Sequence, residues 1–369
     1  MGVVWSWAMG PETHAEMLAM GWTLPTSCTS SNDSADIYSY SGSPARWSRY
    51  NTADARTPYD FPSDAVVGMG DSGWVTVAWK NRLGSTVPGN ACFGPIWAAP
   101  TANLGFWTTF YNPGSGNSLH CYVGGVFKGS TAAYDWSNFH YLSFRYDHSS
   151  ALYQGEFYID GNLEVTSSQS RTAYLGNPPA IRWNYATQFT GNAAVAQFVF
   201  FDGSTPASEA ANPYFVTRIS PNDDVTGAGT WDPVASPGSA AQAPLLVSPY
   251  DSTTIVSASS PTTGDKFIVA TDSGSLTTLD TLLGTTTVTP AGAPSIAGIT
   301  CHTFSSGSGV VSVKAGVKDA NASSTVYGSA SLVDGSSLNY ISATSAFIPG
   351  TVLAWSGSVP SPDLVYEVN

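Results

Sequence analysis

At 369 residues the chain is long enough for two or three domains, and it is 42% hydrophobic but only 11% charged, against about 25% charged residues in an ordinary globular domain. The formal net charge is −13 and the 13 basic residues are scattered singly, so no Lys/Arg stripe exists to hold phosphates, which argues against a nucleic-acid partner. Glycine (36) and proline (24) together with plentiful Val, Ile, Thr and aromatic residues predict many short strands joined by tight turns, an all-β protein.

The N-terminal start, MGVVWSWAMGPETHAEM, lacks the basic region of a signal peptide and carries Glu12 and Glu16. Residues 83–127 contain no Asp, Glu, Lys or Arg, yet Pro and Gly interrupt them, so no spanning helix fits and membrane insertion is not expected. One helical pattern stands out, ETHAEMLAM (12–20). Strand patterns follow at GWVTVAWKN (73–81), LGFWTTFYN (104–112), LHCYVGGVFKG (119–129), FHYLSFRYD (139–147), GEFYIDGNLEVT (155–166) and AAVAQFVFFDG (193–203). Turn residues separate them, the pattern of a sandwich or barrel. Within 155–166, Phe157 and Ile159 share one face and Tyr158 takes the other. Asp160-Gly161 or Gly161-Asn162 supplies a two-residue hairpin turn.

Ten of the twelve tryptophans lie at or before Trp183. The Pro/Gly/Ser/Ala-rich stretch beyond residue 203 separates this aromatic half from a small-residue half. The expected organisation is a β-sandwich over 1–203, an extended linker over 204–244 and a smaller β-sandwich over 245–369. In the last part DKFIVATD (265–272), VVSVKAGVKD (310–319), VYGSASLVDG (326–335) and LVYEV (364–368) alternate apolar and polar residues. SLTTLDTLL (275–283) reads as one or two helical turns in a connection.

The four cysteines, Cys28, Cys92, Cys121 and Cys301, have no metal-ligand spacing. A Cys92–Cys121 bridge between neighbouring strands is geometrically allowed; four buried reduced thiols are the alternative. The carboxylates Glu156, Asp160 and Glu164 invite a glycosidase reading, which requires two carboxylates flanking one bond roughly 5–10 Å apart. Their spacing of four and four puts Asp160 at the bend and Glu164 beyond it, so the three are not expected to share a cleft. No catalytic residue is assigned, and no nucleophile elbow, zinc-helix or phosphate-loop motif occurs. His14, His120, His140, His148 and His302 are dispersed, each reading as a strand or loop residue. PNDDVTGAG (221–229) lacks the frame and closing Glu of a calcium loop, so no metal and no cofactor are expected, a loop calcium at Asp223/Asp224 being the alternative. Trp97, Trp107 and Trp183 lie beside Pro or Asn in loop-adjacent positions and are the candidates for stacking on sugar rings, the alternative being that the tryptophans fill the core.

The segment WSNFHYLSFRYDHSSALYQGEFYIDGNLEVT followed by AVAQFVFFDG resembles the laminin-G-like, or concanavalin A-like, jelly roll, with Trp136, His140, Tyr158, Asp160 and Gly161 at matching positions. The opening VVWSWAMGPETHAEMLAMGW is similar to the first strand and return, here Gly21-Trp22, of such domains in tailed-phage structural proteins. Arg218, Pro221, Asp224, Trp231, Asp265, Phe267, Ile296, Gly298, Pro349, Thr351 and Trp355 follow in the order of a tail-end module of tailed-bacteriophage virion proteins. The resemblance implies a concanavalin A-like jelly-roll sandwich and a second, smaller β-sandwich. It also implies a non-enzymatic virion structural protein: a tail fibre, spike or decoration protein of the virion surface. Its implied partners are other virion proteins of capsid or tail, a homo-oligomer with a trimer favoured, and a host-surface glycan in host attachment. A soluble glycan-binding, lectin-like module is the alternative, since jelly rolls bind sugars, bind proteins, hydrolyse glycans or fill space.

Overall fold

The computed structural model describes residues 2–8, 22, 32–38, 43–49, 59–61, 69–81, 92–96, 108–111, 116–170, 180–183, 192–211, 221–228, 231–233, 268–270, 277–283, 299–305, 311–319, 325–327, 331–333, 339–345 and 362–368. The chain divides into two compact units, Met1–Gly10 with Trp22–Val216 and Pro11–Gly21 with Thr217–Asn369. Every strand pairing among the described residues is antiparallel, and the architecture is all-β, a jelly-roll type sandwich and a second, smaller one. The helix expected over 12–20 lies outside the described residues.

The first unit contains β1 (Val3–Ala8), β2 (Asn32–Tyr38), β3 (Ser43–Arg49), β4 (Tyr59–Asp60), β5 (Ser72–Asn81), β6 (Cys92–Ile96) and β7 (Thr109–Tyr111). It continues through β8 (His120–Val123), β9 (Val126–Ser130), β10 (His140–Asp147), β11 (Leu152–Ile159), β12 (Asn162–Ser170), β13 (Ala180–Trp183), β14 (Asn192–Asp202) and a single helical turn, α1 (Ala207–Ala210). An eight-stranded sheet runs β12-β11-β10-β5-β14-β3-β2, with β1 also on β14; a six-stranded sheet runs β4-β13-β6-β7-β8-β9.

Period-two alternation builds the core. Residues directly opposite in antiparallel strands share a face, and two rows cross the larger sheet: Trp5–Phe200–Val75–Phe144–Phe157 and Trp7–Phe198–Val77–Leu142–Ile159. All ten side chains are buried, each stabilising by about 1.5–3 kcal/mol for a large apolar group. From the facing sheet, Phe110 packs edge-on against Phe157 and Phe144, with centroids 5.1 and 5.9 Å away. Phe61 and Trp22 close the other end against Trp5 and Phe198. Trp22, from the Gly21-Trp22 pair of the resemblance, is a buried indole 6.2 Å from Trp5, while Gly21 lies outside the described residues.

Part of the outward face of the larger sheet, over β5 and β10, is also covered. Trp74 Nε1 donates to the Thr205 carbonyl (2.9 Å) and Ser143 Oγ to the Ala210 carbonyl (3.0 Å). Beneath them Tyr141 donates to Thr76 Oγ1 and Thr76 to the Val199 carbonyl, at 2.8 and 2.7 Å. Residues 205–211, with α1, therefore lie over this sheet, and these buried polar groups are all hydrogen-bonded, as burial demands.

Two sequence expectations are corrected here. LHCYVGGVFKG, read as one strand, is the hairpin β8–β9, because Gly124 and Gly125 both have positive φ (54° and 78°), the geometry of a two-residue hairpin turn. The Cys92–Cys121 bridge is not formed and Cys121 is a free, buried thiol. The reason is register: Cys92 opposes Tyr111 on β7, and Phe110 of β7 opposes Cys121. The two cysteines thus sit on strands separated by a third, about 9–10 Å apart, beyond the reach of a disulfide.

The second unit contains β15 (Pro221–Ala228), β16 (Trp231–Pro233), β17 (Ile268–Ala270), β18 (Thr277–Leu283), β19 (Ile299–Ser305), β20 (Val311–Asp319), β21 (Thr325–Tyr327), β22 (Ser331–Val333), β23 (Asn339–Ser345) and β24 (Pro362–Val368). A six-stranded sheet runs β15-β18-β24-β20-β21, with β22 also on β20; β16-β17 and β19-β23 are pairs. The β19–β23 pair packs on β20, with Ala343 and Ser345 buried. SLTTLDTLL, read as helical turns, is β18 instead, held between β15 and β24; its β-branched threonines suit a pleated strand. Asp223 and Asp224, read as a loop pair, stand within β15, at shifts in its register against β18. Strands β15 and β16 lie within the stretch read as an extended linker.

Candidate functional site

The hairpin β11–β12 carries the three carboxylates. Asp160 and Gly161 both have positive φ (51° and 81°), so the two-residue turn is Asp160-Gly161, with Ile159 opposite Asn162. Each carboxylate is held by a different part of the fold. Glu156 on β11 accepts from Arg145 Nη1 (3.0 Å), its neighbour across β10, and from the Tyr158 hydroxyl (3.0 Å). Partial burial, then the bond to Glu156, push the Tyr158 phenol up to about 12.

Asp160 grips the start of β10. Its Oδ1 accepts the Tyr141 N–H (2.8 Å) and its Oδ2 faces His140 Nδ1 (2.7 Å). The other ring nitrogen of His140 faces the Asp135 carbonyl at 3.0 Å, an oxygen that can only accept. Both nitrogens therefore meet acceptors, which favours the imidazolium. Burial alone lowers this group, but Asp160 and then Asp135 outweigh it and hold His140 above its ordinary value.

Glu164 on β12 reaches back to the segment after β9, accepting the Ala132 N–H (2.6 Å) and the Tyr134 hydroxyl. Burial, then this bond, push the Tyr134 phenol up. Of the resemblance's matched positions, Trp136, His140 and Asp160 come together: the Trp136 and His140 rings lie 5.1 Å apart, and Trp136 Nε1 donates to the Asn117 carbonyl (2.8 Å). They form a clasp that fixes the loop between β9 and β10.

His148, just after β10, is fully buried and stacked on Tyr153, with centroids 3.9 Å apart. Its Nε2 meets the Thr108 hydroxyl at 2.7 Å. Burial lowers this imidazole to about 3, so it is neutral in the core. Among the described residues no three His, Cys, Asp or Glu stand together as a metal site, and no helix is long and apolar enough to cross a membrane.

Trp97 and Trp107, candidates for sugar stacking, lie outside the described residues. Trp183 ends β13, opposite Tyr59 of β4 and Phe93 of β6. Sequence reasoning missed a different aromatic group, on the outward face of β7, β8 and β9. Along β8 Cys121 and Val123 are buried while His120 and Tyr122 are partly exposed. Phe127 on β9 is 48% exposed. Ring centroids lie 5.6 Å apart for Tyr111–Tyr122, 5.9 Å for Tyr122–Phe127 and 4.7 Å for His120–Phe127. Alternation in HCYVGGVF was the signal that could have revealed it, once the double glycine is read as a turn.

No family model and no curated protein sequence matches the chain. Among solved structures it is similar to a carbohydrate esterase from the Shiga toxin-encoding bacteriophage phi24B, with 13% identity and TM-score 0.36 over 54% of this chain and 98% of that one. It is also similar to the CBM40 module of the Ruminococcus gnavus IT-sialidase bound to α2,3-sialyllactose (11% identity, TM-score 0.29, 42% of this chain and 91% of that one). A third likeness is to the Trypanosoma rangeli sialidase (11% identity, TM-score 0.34, 48% of this chain), of which this chain spans only 31%. All are distant, and no substrate or activity passes from them to this chain.

Proposed function

We propose that this chain is a non-enzymatic structural protein of a tailed-phage virion: a fibre, spike or surface decoration that contributes to contact with the host surface. It assembles with other virion proteins as a closed homo-oligomer, a trimer by preference. The sequence resemblances of both halves support the virion role. The observation that carries the non-enzymatic reading is the use of Glu156, Asp160 and Glu164, each of which ties a different strand or loop of the sandwich together. Hydrolysis of a glycosidic bond needs two carboxylates flanking that bond, one protonating the leaving oxygen and the other acting at the anomeric carbon from the opposite side.

The test pairs two measurements on the full chain. Tagged protein is sought by immunoblot in purified particles of the phage that encodes it, and purified protein is assayed for glycan and acyl-ester hydrolysis. Incorporation without turnover is expected, with light scattering giving a multiple of the 38.6 kDa chain. Absence from particles overturns the virion role; hydrolysis lost in Asp160→Asn or Glu164→Gln overturns the non-enzymatic reading.

A further inference from the structure

We propose that the outward face of β7, β8 and β9, built from Tyr122, Phe127 and His120 with Tyr111 alongside, binds a neutral saccharide whose apolar ring faces pack on the aromatic rings. This deepens the host-contact part of the function proposed above and rests on that reading for its biological role, though not for the binding itself.

Three observations carry it. The first is an aromatic group facing water where the core has no use for it. Phe127, on the edge strand of the six-stranded sheet, is 48% exposed and flanked by His120 and Tyr122. Those neighbours hold the ring in place, so little side-chain entropy is lost when a ligand covers it. The Tyr111 and Tyr122 planes cross at 85° and those of Tyr122 and Phe127 at 62°, so ring faces and ring edges alternate along the row. Three strands at about 4.8 Å spacing give that row the length of a disaccharide unit.

The second observation is neutrality. Residues 83–127, which supply β6, β7 and β8, contain no Asp, Glu, Lys or Arg. Partial burial lowers His120 and raises Tyr122, so both are uncharged near neutral pH. Lys128, next along β9, reaches across to Gln169 Oε1 on β12 at 2.7 Å. Among the described residues of β7, β8 and β9, an anionic or cationic ligand finds no free countercharge on this face. The phenol and imidazole edges instead donate and accept hydrogen bonds, matching a polyhydroxylated ligand that is apolar on its ring faces.

The third is size. One half-exposed ring and three less exposed ones offer far less than the about 800 Å² per partner of a stable protein–protein interface. A small amphipathic ligand fits that area.

The experiment titrates the full chain with cellopentaose, maltopentaose and chitopentaose, and with α2,3-sialyllactose as the anionic comparison, by calorimetry and saturation-transfer NMR, alongside a neutral-glycan array. A neutral glycan should bind, and Phe127→Ala and Tyr122→Ala should each weaken it about tenfold, with Phe127→Tyr retaining binding and near-UV circular dichroism unchanged. The proposal is overturned if no neutral glycan binds, if sialyllactose binds more tightly, or if both alanine variants bind as well as the parent. It is equally overturned if Phe127→Ala dissolves an oligomer, which would make this face an interface between copies. Particle incorporation is read separately: saccharide binding by a chain absent from particles sinks the virion role alone, and incorporation without binding sinks this site alone.

Discussion

His140 and His148 stand at opposite ends of β10, and their surroundings drive the two imidazoles in opposite directions. His140 faces acceptors on both nitrogens and is held above its ordinary value by Asp160 and Asp135 against the effect of burial. His148 is stacked on Tyr153 in the core and lowered to about 3 by burial. The same residue type thus serves as a clasp whose charged form is favoured at one end of a strand and as a neutral core ring at the other.

The sign of the His148 effect follows from linkage. Its folded pKa lies below the unfolded 6.5, so its contribution is complete above about pH 6.5 and is lost as pH falls toward 3. The full loss is on the order of 5 kcal/mol. Urea unfolding followed by tryptophan fluorescence, which reports mainly the aromatic half, should show a midpoint falling steadily between about pH 7 and pH 4. In His148→Gln that slope should flatten, whatever the variant does to stability at neutral pH.

His140 has the opposite signature. Its raised folded pKa means that the clasp is complete below 6.5 and is lost as pH rises through the folded value. Asp160→Asn keeps a residue that tolerates positive φ but removes the charge facing His140. NMR titration should show the His140 pKa fall, with about 1 kcal/mol of stability lost near pH 6 and less near pH 9. An unchanged His140 titration would mean that the Asp160 contact is not made in solution.

Glu164 joins the edge strand β12 to the segment after β9 through Ala132 and Tyr134. Glu164→Ala should raise amide hydrogen exchange locally over residues 131–139 while costing about 1–2 kcal/mol overall. Exchange that rises equally throughout the first unit would show that the tie is global.

Cys121 is buried, and burial, followed by the Glu164 charge, pushes its thiol up. It should resist iodoacetamide in native buffer and react only on unfolding, since the thiolate is the nucleophile. Peptide mapping without reductant should find no Cys92–Cys121 linkage. Rapid native alkylation of Cys121 would contradict its burial.

Much of the fold was legible because strand alternation is a local property. The even spacing in GWVTVAWKN and FHYLSFRYD pairs Val75 with Val77 and Leu142 with Phe144 within each strand, and the register of β5 against β10 then brings both pairs onto one face. The hairpin turn was narrowed for the same reason to Asp160-Gly161 or Gly161-Asn162, as only certain residues accept positive φ, and the pairing of Ile159 with Asn162 selected the first. SLTTLDTLL misled because a short apolar run without strict period two fits helix and strand equally; its neighbours β15 and β24 decided.

The sequence by itself determined the class of the protein, the positions of its main strands and the faces that enter the core, since composition, turn chemistry and period two act over a few residues. Only the tertiary structure decided what the polar groups do. His140 meets Asp160, Tyr134 meets Glu164 and Thr108 meets His148 across separations of 20, 30 and 40 residues, which no local pattern encodes. Register likewise inserted β7 between Cys92 and Cys121 and aligned Tyr111, Tyr122 and Phe127 on one outward face. Which strands become neighbours depends on how the whole chain buries its apolar surface at once, and every contact between side chains distant in sequence is a consequence of that choice.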